Sequence, residues 1–392
     1  MPLRLQRREN EAMSSLADLL ILGQGSDLAS ERGVSCTGEL PAASDPTLVA
    51  RALSAKAALG DRVMILGHHY QRDEVIQFAD ITGDSFKLAQ AAAAHSSAEY
   101  IIFCGVHFMA ESADILTSDF QKVILPDLAA GCSMADMATA SQVHQCWREL
   151  QKLGLSSKTI PVTYMNSSAA IKSFTGENGG TICTSSNAEK SLRWAFSKGE
   201  KVLFLPDQHL GRNTAITSLG LKEEDCVVWN PWKPMGGLTE DEINNAKMIL
   251  WRGHCSVHGR FAKSAIDEYR ERIPGINIIV HPECQHAVVT AADFVGSTEK
   301  IIQTIKSAAP GTQWAVGTEL NLVSRLAKEN PDKGVFFLDR TVCYCSTMNR
   351  IDLPHLVWAL ESLVEGKIVN QIRVDSETAR YSKLALEQML AL

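Results

Sequence analysis

Two intervals recur in this 392-residue chain, and they limit what it can fold into. His68 to Ser85 is 17 residues and Ser85 to Cys132 is 47; His281 to Thr298 is again 17, and Thr298 to Cys345 again 47. Both stretches repeat one order: a short apolar run, a polar tip, then a helix-like period. RVMILGHHY, ITGDSFKLAQAAAA, EYIIFCGVHFMAES and KVILPDLAAGC make the first unit. NIIVHPEC, DFVGSTEKIIQTI, WAVGTELNLVSRLA and VFFLDRTVCYC make the third. A middle unit runs from IPVTYMNSS through GTICTSSNAEKSLRWAF and KVLFLPDQHLG to MILWRGHCSVH. It is longer, 89 residues from Asn166 to Cys255 against 64 from His68 to Cys132, and the excess fits an added segment around VVWNPWKPMGGLTEDE. β-Branched runs alternating with helical periodicity read as βαβ units with parallel strands. The chain is therefore expected to be α/β and to hold three copies of one design.

The units divide as 46–150, 151–265 and 266–352. Residues 1–45 are mixed and Gly/Ser-rich and read as a tail. Residues 353–392 are expected to form C-terminal helices that pack back on the first domain.

Charge and hydropathy exclude several classes. With 38 basic against 45 acidic residues the net charge is −7, which leaves no broad basic face for nucleic acid. No apolar run approaches the roughly 18 residues of a membrane span. At the N-terminus Glu9, Glu11 and Asp18 interrupt the only short apolar patch, so no secretory signal is read there. A cytoplasmic protein with reduced thiols is expected. Ten cysteines are then too many for a large chain that needs no disulfides. Most read as small buried hydrophobes, Cys104 in YIIFCGV and Cys226 in DCVVW among them.

In open parallel α/β sheets ligands bind beyond the carboxyl ends of the strands. The first tips carry His68 and Tyr70, Tyr164 and Asn166, and His281 and Glu283. The second carry Asp84 and Ser85, Ser185 and Ser186, and Ser297 and Thr298. The last carry Cys132, Cys255 and Cys345. Three equivalent units around an axis would bring these cysteines to one point, where three thiolates suit a metal centre. Structural zinc usually takes four ligands in paired knuckles, and none occurs here. Three thiolates holding a [4Fe–4S] cluster with one open iron is favoured over zinc. The serines and threonine stand where helix caps belong, but helix N-termini facing a cavity also bind anions. His209 and Glu319 are weaker candidates at third-strand ends. A zinc hydrolase using His68, His254, His258 and Cys255 is the competing enzyme reading, although the His254/His258 pair lacks the glutamate of HExxH. An iron–sulfur sensor is the non-enzyme reading, without a basic DNA-binding element to support it.

GHHYQRDEVIQFADITGDSFKLA, GVHFMAESADIL, LPDLAAGCSMADM, VTYMNSSAAIK, CTSSNA, FLPDQHLG, GHCSVH, HPEC, VGST, GTELNLV and CSTMNRI follow one another from about residue 62 to 352. Together they resemble the quinolinate synthase A family of bacterial NAD biosynthesis. The resemblance implies three αβα-sandwich domains with pseudo-threefold symmetry and an active site at their common centre. It implies a [4Fe–4S] cluster on Cys132, Cys255 and Cys345, the last favoured over Cys343 because it directly precedes STMNR. The implied reaction condenses iminoaspartate with dihydroxyacetone phosphate to quinolinate, phosphate and water. Ser85, Asn166, Ser185, Ser297 and Thr298 would bind substrate, Ser185 being preferred to Ser186, with His68 and His281 as partners. Tyr70 and Glu283 are the acid/base choices, joined by His68, and Tyr164 positions and helps to close the site. An aspartate oxidase or dehydrogenase is the implied source of iminoaspartate.

Overall fold

The structure is a computed structural model that describes residues 40–94, 97–340 and 344–392. Most of the N-terminal tail, Cys36 and Cys343 lie outside the described residues.

Three sheets carry the described residues. The first unites β1 (Val63–His68), β2 (Ile81–Gly83), β3 (Tyr100–Cys104) and β4 (Lys122–Ile124) in the order β2-β1-β3-β4, all parallel. The second holds β5 (Thr159–Tyr164), β6 (Thr181–Cys183), β7 (Lys201–Leu205), β8 (Cys226–Trp229) and β9 (Met248–Trp251) in the order β6-β5-β7-β9-β8, also parallel. The third is β11-β10-β12-β13, from β10 (Asn277–Val280), β11 (Phe294–Val295), β12 (Gln313–Gly317) and β13 (Gly334–Phe337). One order, second-first-third-fourth, therefore recurs. The exception is β8, an extra edge strand. It comes from the added segment of the middle unit, which continues through a turn at Pro234–Gly237 and the helix Glu240–Asn245. A last strand, β14 (Gln371–Ile372), pairs antiparallel with β4.

Every residue of β1, β3, β7 and β9 is buried, as parallel strands require when helices cover both faces. In the third sheet the period-2 alternation divides the core. Ile278 and Val280 pack on one face, and Ile279 and Val316 on the other.

Both C-terminal helices touch the first unit, the last one through His107–Leu116, but their main contacts differ. Leu353–Val364 packs on Leu48–Leu59, where Arg51 grips Glu361 with two hydrogen bonds of 2.8 and 2.7 Å. Ser376–Leu390 lies on Ala169–Glu177 of the second unit. Gly176 permits that approach, since a Cβ there would lie 1.9 Å from the Tyr381 carbonyl oxygen. Among the described residues no helix is long and apolar enough to cross a membrane.

Candidate active site

The carboxyl ends of the strands from all three sheets open on one cavity. β1 delivers His68 and, two residues on, Tyr70; β5 delivers Tyr164 and Asn166; His281 and Glu283 follow β10. Cys132, Cys255 and Cys345 follow β4, β9 and β13, the fourth strands of the shared order, and all three line the same cavity. Ser85, Ser185 and Thr298 also line it.

Ser297 does not. Its hydroxyl caps the helix Thr298–Ser307 by accepting from the Lys300 amide at 3.3 Å. In the first unit Asp84 does that work, accepting from the Lys87 amide at 2.9 Å, and Ser85 opens the helix Ser85–Ala94. The 17-residue interval thus pairs Thr298 with Ser85 and the cap Ser297 with the cap Asp84. In the second unit Ser186 is exposed and donates to Asp84 at 2.6 Å, which leaves Ser185 on the cavity wall. The Asn166 Oδ1 is buried beside them without a hydrogen-bond partner.

One unbroken hydrogen-bond chain crosses the site. The Tyr70 hydroxyl meets Thr298 Oγ1 at 2.9 Å and Thr318 Oγ1 at 3.0 Å. Thr318 Oγ1 lies 3.2 Å from His258 Nε2, and His258 Nδ1 lies 2.8 Å from Glu283 Oε2. The Tyr164 hydroxyl donates to Glu283 Oε1 at 2.5 Å. His281 stacks on His258 with ring centroids 4.4 Å apart. His68 packs edge-on against Tyr70 and accepts from the Tyr70 amide.

Burial sets the protonation states. It drives His68 and His281 down to about 3, so both rings are neutral near pH 7. It raises the Tyr70 and Tyr164 hydroxyls well above the usual range, with the Glu283 charge adding to both. Burial alone would raise Glu283 as well, but the adjoining His258 and His281 and the bonds from His258 and Tyr164 hold it well below the carboxylate range. Asp207 goes the other way. Buried at the end of β7, with Glu283 near, its carboxyl is pushed well up.

A model described as Quinolinate synthetase A protein matches residues 51–391. The quinolinate synthase of Streptomyces coelicolor is 67% identical over 389 residues, 99% of this chain and 99% of that one. That of Nocardioides sp. strain JS614 is 66% identical over 386 residues, 96% and 98% of the two chains. That of Geobacillus kaustophilus is 57% identical, covering 88% and 93%. The chain belongs to the quinolinate synthase A family.

For a quinolinate synthase the thiols can be sorted by place. Cys104, Cys183 and Cys226 are buried in strands, Cys146 in a packed helix and Cys284 in the turn after β10. Cys132, Cys255 and Cys345 are half-buried, free of disulfides and open to the cavity. Desolvation pushes Cys132 up to about 12 and raises Cys255 and Cys345 too; Cys345 adds to the rise at Cys132, and both add to that at Cys255. Thiols so placed stay protonated at neutral pH unless a cation replaces the proton, so the donor set suits a metal centre. Among the described residues one trio, Cys255, His258 and Glu283, has donor atoms all within 4.8 Å. The zinc pair raised by the sequence does not form, because His254 is exposed while His258 is buried. His209 is not on the cavity wall, whereas Glu319 is. Burial lifts the Glu319 carboxyl to about 7, against the amides of Leu322, Cys345 and Asn321 that it accepts from.

Sequence reasoning missed Thr318 and Asp207. Thr318 had a signal, a hydroxyl at the end of β12 next to Glu319. Asp207 had one in FLPDQHLG, a carboxylate at the end of an apolar strand.

Proposed function

We propose that this cavity condenses iminoaspartate with dihydroxyacetone phosphate to give quinolinate, phosphate and water, with a [4Fe–4S] cluster held by Cys132, Cys255 and Cys345. The observation that carries the reading is the meeting of three thiols, one from each sheet, on a cavity that also holds Tyr70, Tyr164 and Glu283. The trio Cys255, His258 and Glu283 is a weaker metal site, because both imidazole nitrogens and both carboxylate oxygens already have hydrogen-bond partners. The three thiols do not form such a compact set, which suits donors to separate irons of a cluster better than donors to one ion. A bound cluster would supply a Lewis-acidic iron without a protein ligand, able to polarise a hydroxyl or carboxylate.

The protein's own groups account for the rest. Ser85 and Thr298 open helices, where free amides and hydroxyls favour phosphate and carboxylate. Ser185 adds a donor. The bare Asn166 Oδ1 accepts from a substrate hydroxyl or N–H. Neutral His68 and His281 donate one hydrogen bond each without adding charge. Tyr70 keeps its proton and can give it to a leaving group; the Thr318–His258–Glu283 chain can return one. Tyr164 holds Glu283 in place and closes that side of the cavity.

The shared strand order supports three αβα units, 46–150, 151–265 and 266–352, around a pseudo-threefold axis through the cavity. The setting we infer is the cytoplasm, with an aspartate-oxidising enzyme supplying the unstable imine. The test is direct. Anaerobic, iron- and sulfide-loaded protein is given both substrates and the product is identified by mass spectrometry. Quinolinate is expected, and its absence at full loading overturns the reading.

A further inference from the structure

We propose that the ion pair between Asp127 and Arg350 is a clamp that fixes the Cys132 loop against the Cys345 loop, which makes both positioning residues for the metal-binding thiols. The inference rests on the reading that these thiols hold a cluster. Asp127 lies five residues before Cys132, and Arg350 five after Cys345. Arg350 Nε donates to Asp127 Oδ2 at 2.9 Å. The carboxylate is only 3% exposed while the Arg350 side chain is 36% exposed, so solvent screens the pair from the arginine side only.

Each partner is locked to its own loop. Asp127 Oδ1 accepts from the Ala129 amide at 2.9 Å, and the Asp127 carbonyl accepts from Ala130 at 3.0 Å. Arg350 ends the turn Met348–Arg350, in which the Asn349 amide donates to the Cys345 carbonyl at 3.0 Å. Behind the pair, His355 Nε2 stands 3.9 Å from Asp127 Oδ2, its Nδ1 fixed on Asp352 at 2.7 Å. Asp352 caps the helix Leu353–Val364, so the clamp is braced on a long packed element.

The third loop is tied differently. Trp251 Nε1 donates to the Met137 carbonyl at 2.7 Å, and the His254 amide meets Met137 Sδ at 3.4 Å. The segment 126–137 is therefore the hub: a neutral tie runs from it to the Cys255 loop, and an ionic one to the Cys345 loop. The ionic tie is a single charge-assisted hydrogen bond from the guanidinium Nε to one carboxylate oxygen.

The test uses the full chain carrying Asp127→Asn, Arg350→Gln, both together, or Arg350→Lys. Two readouts are taken: release of iron to a chelator from anaerobically loaded protein, and residue-resolved alkylation of the metal-free protein. Iron release is expected to quicken about tenfold in each single variant, as for other outer-shell ligand partners. The double variant should be no worse than either single one, and Arg350→Lys should recover part of the loss. In the metal-free protein Cys132 and Cys345 should alkylate faster relative to Cys255, with core Cys104 still protected as the mark of an intact fold. Unchanged release and unchanged alkylation ratios overturn the clamp, as do additive effects of the two substitutions. If a variant exposes Cys104, Arg350→Lys carries the test alone, and wild-type ratios in it count against the clamp. Wild-type protein that takes up no iron or sulfide sinks the cluster reading instead, and the alkylation ratios still judge the clamp.

Discussion

The Tyr164 hydroxyl reaches Glu283 across the seam between the second and third sheets and donates to Oε1 at 2.5 Å. The bond matters because Glu283 is a buried charge, 3% exposed, with His258 as its other side-chain partner. Tyr164→Phe keeps the ring and removes the donor. A hydrogen bond to a charged group is worth about 2 kcal/mol, so kcat is expected to fall about 30-fold. The Glu283 carboxyl should also titrate higher, because the Tyr164 bond is one of the contacts that hold it down. Wild-type kcat in Tyr164→Phe would contradict a role through Glu283.

Cys132→Ser, Cys255→Ser and Cys345→Ser should each abolish the iron–sulfur absorbance of anaerobic protein. Cys104→Ser should keep it, because Cys104 is fully buried in β3 away from the cavity, at a cost of about 1–3 kcal/mol for a buried hydroxyl. A Cys345 variant with full iron content would move the third ligand to Cys343.

Ser185 and Ser186 separate by partner. Ser186 is engaged by Asp84, while Ser185 faces the cavity. Ser185→Ala should raise KM for the phosphate-bearing substrate about tenfold, the loss of one charge-assisted hydrogen bond. Ser186→Ala should change it much less. Steady-state kinetics on both variants decide, and the reverse ranking contradicts the assignment.

The depressed histidines make a stability prediction. The unfolded chain takes up protons at His68 and His281 as the pH drops below the ordinary 6.5, whereas the folded chain resists until about 3. Protons therefore favour the unfolded state, and stability falls with acid from 6.5 downward. Between pH 7 and pH 5 each histidine contributes a loss of about 2 kcal/mol. Urea unfolding of the metal-free chain at the two pH values measures it, and His68→Gln should remove about half of the combined loss. An unchanged difference in that variant would show that His68 is not the group concerned.

Much of this site was legible before any coordinates, for a physical reason. Parallel strands leave their polar residues at one end, so the strand tips bearing His68, Tyr164, His281 and the three cysteines had to face a common side. The matched intervals also favoured Cys345 over Cys343, which lies outside the described residues. What stayed hidden depends on contacts between units. Ser297 looked like Ser85 by its place before a helix, but helix capping uses the residue one step earlier, and only the register of the repeat pairs it with Asp84. Thr318 gains its place by reaching Tyr70 and His258 from another sheet. The last helix follows the space above Gly176, which no periodicity in Ser376–Leu390 encodes.

The central claim is that three cysteines from three sheets hold one cluster, and metal content tests it most directly. Iron, acid-labile sulfide and the visible spectrum of anaerobically purified protein are measured together. About four irons and four sulfides per chain, with a broad thiolate–iron absorbance lost in Cys132→Ser, are expected. One zinc per chain with no sulfide, retained in Cys132→Ser, would contradict it.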